Sequence, residues 1–151
     1  MKKSRKSVAV ILASLMLAAS SVITSMAAPA ITALTAESPE PRGNYISSGS
    51  ATLTDKSGTS IKLGISGDTL AHYSVTKIGL DLTLEYMSSS GSIIEVKTWN
   101  FSSSNTDTLS KSFDYYPSYG AGYYRLTGYH YVEGSTYYEN LDSSGSWIYV
   151  D

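Results

Sequence analysis

Ten of the 13 tyrosines in this 151-residue chain fall between Tyr115 and Tyr149, whereas the whole chain has two phenylalanines. Phenylalanine would serve for burial alone; tyrosine adds a hydroxyl and suits positions with one apolar side and one wet side. Residues 123–132 put Tyr124, Leu126, Gly128, His130 and Val132 on one set of alternate positions, and Tyr123, Arg125, Thr127, Tyr129 and Tyr131 on the other. In an extended strand the two sets face opposite ways. The aliphatics assign the first set inward, so the second faces solvent. Near the C-terminus Ile148 and Val150 point inward by the same rule, which turns Trp147 and Tyr149 outward. If the two segments pair, Tyr123, Tyr129, Tyr131, Trp147 and Tyr149 form one exposed aromatic strip with Arg125 among them. Such a strip stacks on sugar rings or buries itself against a protein partner. The competing reading is cross-strand packing that only stabilises the sheet, with Arg125 lying over a ring.

Other chemistry is poorly provided for. His72 falls in an expected loop and His130 on an inner face; with no cysteine and no clustered carboxylates, they make no recognisable metal site. The acidic turns lack the dense alternate-position spacing of a calcium loop. Asp81 and Glu85 share the outer face of one strand, but four residues apart is roughly 13 Å along it. That exceeds the separations of glycosidase carboxylate pairs, about 5–5.5 or 6.5–9.5 Å. Cross-strand lysines such as Lys62 or Lys97 are their expected partners. The many serines leave a Ser–His–Asp arrangement open, yet no Gly-x-Ser-x-Gly elbow or other nucleophile signature is present. The expectation is a non-catalytic module without cofactor or metal.

The elements that must carry these side chains are strands. Ile78, Leu80, Leu82, Leu84 and Tyr86 alternate strictly with Lys77, Gly79, Asp81, Thr83 and Glu85, the mark of a strand with one face buried. Ile61, Leu63 and Ile65 repeat the pattern, and residues 48–54 offer Ala51 and Leu53 as an inner set. Residues 93–101 carry Ile94 and Val96, then change face at Trp99 and Phe101, which predicts a bulge or twist. Residues 109–113, 123–132 and 137–150 complete the set, the last bent or split at 143–146. Turn chemistry separates them at 55–58, 66–68, 88–91 and 133–135. About seven short strands in some 105 residues describe an all-β chain folded as a single antiparallel two-sheet sandwich.

Residues 1–27 read as an export signal. Lys2, Lys3, Arg5 and Lys6 form a cationic head, residues 8–19 an uncharged apolar run, and Ser25-Met26-Ala27 a small-residue cleavage site. The strongly apolar core falls short of the roughly 20 residues a membrane span needs. Residues 28–44 then read as a short disordered Pro/Glu linker, and 45–151 as the folded domain. The product is expected to be secreted, with no stable membrane anchor after cleavage. The chain holds 11 basic and 13 acidic residues; loss of the four leader cations leaves 7 against 13, a net charge of −6. Nucleic acid, which demands clustered Lys and Arg, is an unsuitable partner.

Two resemblances add to this. The run Gly120-Ala121-Gly122-Tyr123-Tyr124-Arg125-Leu126 resembles the entry to the sixth strand of immunoglobulin-like and fibronectin-like sandwiches, with Gly122, Tyr124 and Leu126 in the small, tyrosine and inward places. The likeness covers that strand alone and implies architecture. More widely, Pro41-Arg42-Gly43-x-Tyr45, Ser48-Gly49, Tyr124-Arg125 and Gly128-x-His130 resemble an uncharacterised family of small exported proteins of Gram-positive bacteria, classed as a domain of unknown function. That resemblance implies a secreted sandwich and brings no site.

The functional expectation is therefore a secreted extracellular module that binds a glycan or an extracellular protein through Tyr123, Arg125, Tyr129, Tyr131, Trp147 and Tyr149. The alternatives are a toxin-like or bacteriocin-like effector, opposed by low positive charge and the lack of a cationic amphipathic helix, and a self-assembling surface protein driven by Tyr-rich edges. The oligomeric state is not legible.

Overall fold

The structure, a computed structural model, describes residues 44–151 and the backbone of Leu34–Glu37. The expected leader, 1–27, lies outside the described residues, as does most of the 28–44 linker. Seven strands follow in order: β1 (Leu34–Glu37), β2 (Ile46–Asp55), β3 (Leu63–Met87), β4 (Ile93–Tyr115), β5 (Gly122–Glu133), β6 (Tyr138–Ser144) and β7 (Ile148–Val150). All pairings are antiparallel, and the described residues contain no helix. The all-β antiparallel class is as expected.

The layers arise differently from two separate sheets. One hydrogen-bonded sheet has the order β1-β2-β3-β5-β6, with β4 on β3 and β7 on β5. The 25-residue β3 pairs with β2 through its first half and with β5 through its second, while the 23-residue β4 follows it along both. Their register jumps between Leu70 and Val75, and opposite this corner Asn105 takes a φ of 54°. Asparagine is among the few residues other than glycine that adopt this conformation readily. There the sheet turns over on itself. The two halves of β3 then touch: the Thr69 hydroxyl donates to the Gly79 carbonyl at 3.1 Å, and Gly67 abuts Leu80 and Leu82.

Burial follows the period of two. Ile78, Leu80, Leu82 and Leu84 are fully buried with Ala51, Leu53, Leu63, Ile65, Leu126 and Val132. The expected bulge lies at Val96: the register slips between Leu84↔Lys97 and Glu85↔Glu95, setting Trp99 opposite Leu82 and Phe101 opposite Leu80. Their rings join Phe113 and Tyr115, from the other half of β4, at centroid distances of 5.0–6.0 Å. The C-terminal segment splits at 145–147 into β6 and β7, both on β5.

Three expectations change. Ser66-Gly67-Asp68 is no turn but lies inside β3. A Cβ on Gly67 would stand 2.8 Å from Leu82 Cδ2 and 3.1 Å from the Ser50 carbonyl oxygen, so this glycine permits close approach of the layers. Residues 93–101 and 109–113 are not two strands but the two arms of β4. Within the 28–44 linker, Leu34–Glu37 forms β1, paired with β2 from Leu34↔Leu53 to Glu37↔Ser50; a backbone ladder on an open edge needs no apolar alternation.

At the entry to β5, the run that carries the immunoglobulin resemblance, the tyrosine is tied to the loop before it. Tyr124 is fully buried, and its hydroxyl donates to the Gly120 carbonyl at 2.7 Å, the bond that ties a strand entry to the loop before it. Removal from water pushes this phenol up to about 12.

Candidate functional site

All six candidate residues lie on the outer face of the β5 layer. Along β5, burial alternates strictly: Tyr124, Leu126, Gly128, His130 and Val132 are buried, while Tyr123, Arg125, Thr127, Tyr129 and Tyr131 are exposed or half-exposed. The β5–β7 register sets Tyr123 opposite Tyr149 and Tyr124 opposite Ile148, which brings Trp147 to Arg125.

The strip forms two groups. In the first, Tyr123 and Tyr149 meet edge to face at 5.1 Å. Beside them the Arg125 guanidinium lies 4.6 Å above the Trp147 ring and bonds the Glu85 carboxylate, from Nε at 2.7 Å and from Nη2 at 2.6 Å. Arg125 is thus the partner of Glu85, in place of the expected lysine. Lys62 instead pairs with Asp114 at 2.7 Å, which together with Lys56 holds that carboxyl below its ordinary range.

In the second group, Tyr129 and Tyr131 stand 6.1 Å apart and Tyr138 of β6 stacks against Tyr131 at 6.2 Å. The Tyr129 and Tyr138 hydroxyls are 2.7 Å apart, and this bond, ahead of burial, pushes the Tyr138 phenol up to about 12. The Tyr131 ring lies across Gly79, its cross-strand partner, covering backbone that lacks a side chain of its own. Lys77 sits over the same ring at 5.4 Å while bonded to Glu133 at 2.8 Å.

Between the groups opens a groove of about 280 Å³, its floor Thr83, Thr127, Tyr129 and Ser144, its sides Asp81 and Asp142. Asp81 pairs with Tyr129 across β3–β5, and Tyr129 with Asp142 across β5–β6, so the two acids flank one ring. Neither carboxylate has an ion-pair or hydrogen-bond partner among the described residues. Sequence reasoning missed Asp142, Tyr138, Thr83 and Ser144 as site residues. The period of two had placed Asp81 outward, but nothing in one strand says what stands beside it two strands away.

The inner face holds a different cluster. His130 is fully buried, with Thr69 Oγ1 2.8 Å from Nδ1 and Ser143 Oγ 2.8 Å from Nε2. The Thr69 proton goes to the Gly79 carbonyl, so Nδ1–H donates to Thr69 and Nε2 accepts from Ser143. A serine donating to a neutral imidazole has the arrangement of nucleophile and base, here enclosed by the packing of the layers. Ser143 is 4 % exposed, and Cβ atoms on Gly49 and Gly128 would stand 2.5 Å and 2.8 Å from the ring. His72 lies exposed at the β3 corner, and the described residues contain no group of three or more His, Asp and Glu placed to hold a metal.

A search of curated proteins found no match to the chain. Residues 37–146, most of the chain and all of the site except Trp147 and Tyr149, match a family described as of unknown function, DUF6147. The chain belongs to that family.

Proposed function

We propose that this chain is an exported, non-catalytic module that binds a glycan on the outer face of β5. One observation carries the reading: a half-exposed tyrosine ring and two carboxylates without hydrogen-bond partners among the described residues share one open groove, with Tyr129 between Asp81 and Asp142. Sugars present apolar ring faces, which stack on tyrosine, and rows of hydroxyls, which donate to carboxylates. Thr83, Thr127 and Ser144 add hydroxyls along the floor. A protein partner fits less well, because a dry interface would strip water from two acids that have no close ion-pair partner among the described residues, a cost of several kcal/mol each. A sugar brings its own donors. The cationic, apolar and small-residue sections of 1–27 support export.

Calorimetric titration against neutral bacterial and plant polysaccharides tests this. Tyr129→Ala and Asp81→Asn, each outward-facing and so compatible with folding, should weaken binding roughly tenfold or more, about 1.4 kcal/mol. Trp147→Ala should also weaken it, through loss of the ring under Arg125. Unchanged affinity in all three variants would remove the proposal. The backbones of Asp81 and Asp142 stand two strand spacings apart, about 9.5 Å, at the upper end of the carboxyl separation of inverting glycosidases. New reducing ends during incubation would therefore overturn the non-catalytic part.

A further inference from the structure

A second hollow, about 410 Å³, opens at the end of the β5 layer, where the β3–β4 turn meets the starts of β5 and β7, with Tyr123, Tyr149 and Met87 from the outer face and Tyr86 from the inner set. It is larger than the groove beside Tyr129 and lies within the range of about 300–1,000 Å³ typical of small-ligand pockets. Tyr123, Tyr149, Tyr86 and Met87 form its apolar walls, and Ser88 and Ser89 edge it with hydroxyls. No lining residue is charged. Tyr123 and Tyr149 are 48 % and 56 % exposed, yet each is held by the other's ring, and Tyr86 is held by Tyr119 at 5.2 Å. Rings ordered before a ligand arrives lose little freedom on binding it.

The two hollows lie on one line. Tyr123 and Tyr129 are six residues apart on β5, about 20 Å at the strand rise. Arg125, Thr127 and Trp147 fill the interval. One sugar ring cannot reach both ends; an extended chain can. Resting on the glycan reading above, we infer that the ligand is a linear, uncharged polysaccharide lying along β5, seated at one end between Tyr123 and Tyr149 and at the other beside Tyr129 between the two acids. The charge follows from the walls. Asp81 and Asp142 repel an anionic polymer, the Tyr123 end offers it no cation, and Arg125 already spends its charge on Glu85.

The test is titration of the purified protein with cello- and chito-oligosaccharides, dimer against hexamer, and with an oligogalacturonate hexamer as the anionic counterpart. The neutral hexamer of at least one series should bind about tenfold or more tightly than its dimer, because the second contact is intramolecular once the first is made. Tyr149→Ala should abolish that gain. Equal affinity for dimer and hexamer, still lost in Tyr129→Ala, would overturn the polymer inference and leave the glycan reading standing. A length gain that survives Tyr149→Ala, or tighter binding of the anionic hexamer, would overturn it as well. Absence of binding at any length, across the wider polysaccharide panel too, would sink both.

Discussion

His130 has both ring nitrogens engaged and no contact with water, and that decides its response to acid. Burial pushes the imidazole from 6.5 down to about 4, against weaker opposing pulls from Asp142 and Asp68. Charging Nε2 would also turn its bond with Ser143 around, since the serine would have to accept where it now donates. Between those two values the unfolded chain binds a proton that the folded chain refuses, so stability falls as pH drops from 7 through 5. The loss from this group should be about 2 kcal/mol between pH 7 and pH 5, read by urea denaturation, and His130→Gln should flatten that slope. If the variant does not fold, an NMR titration of the native protein decides: an imidazole that charges near 6.5 refutes the account. The Asp114 contribution lies in another window. Its depressed carboxyl stabilises the fold above the unfolded value of 3.8 and loses that as pH falls further. The inward direction of His130 was legible from the alternation of β5; its partners Thr69 and Ser143, on β3 and β6, were not.

At the scale of elements, β4 is the longest edge strand among the described residues. Among the described residues it pairs with β3 alone, leaving the other edge of Ile93–Tyr115 open to another chain. Its defences are a bulge at Val96, the corner at Asn105, and the exposed charges of Lys97, Asp107 and Lys111, devices that discourage edge-to-edge pairing. Lys111 also covers the Phe101 ring at 5.4 Å. The double variant Lys97→Thr, Lys111→Thr should associate as concentration rises, with an apparent mass by light scattering of about twice that of the parent or more. If the variant scatters like the parent, the lysines do not guard the edge. The strand count came out near expectation through different members. Two expected strands fuse in β3 and two in β4, while β1 is added and the last expected segment yields β6 and β7. Serine and glycine clusters read as turns because their propensities are local, yet Gly67 sits mid-strand for a contact made across the layers.

At the scale of the whole molecule, close approach of the two layers is what holds the inner polar cluster and, above it, the outer face. Gly49 belongs to β2 and His130 to β5, and a Cβ on Gly49 would stand 2.5 Å from the imidazole. His130 is tied on both sides and cannot yield. Gly49→Ala should therefore cost about 1–3 kcal/mol by overpacking, measured by urea denaturation at pH 7; a loss below about 0.5 kcal/mol would mean that the layers can slide apart. The entry to β2 is clasped to the same body: the Glu139 carboxylate accepts the backbone N–H groups of Asn44, Tyr45 and Ile46 at 3.1, 3.2 and 3.0 Å. The sequence by itself determined the all-β class and which side chains of β5 face out, because a period of two is a property of the extended backbone and needs no knowledge of neighbours. Only the tertiary structure decided that the sheet folds over within β3 and β4, that Arg125 meets Glu85 and Trp147, and that Asp81 and Asp142 flank Tyr129. Those are juxtapositions between strands distant in the chain, set by register and layer packing, and no local pattern encodes them.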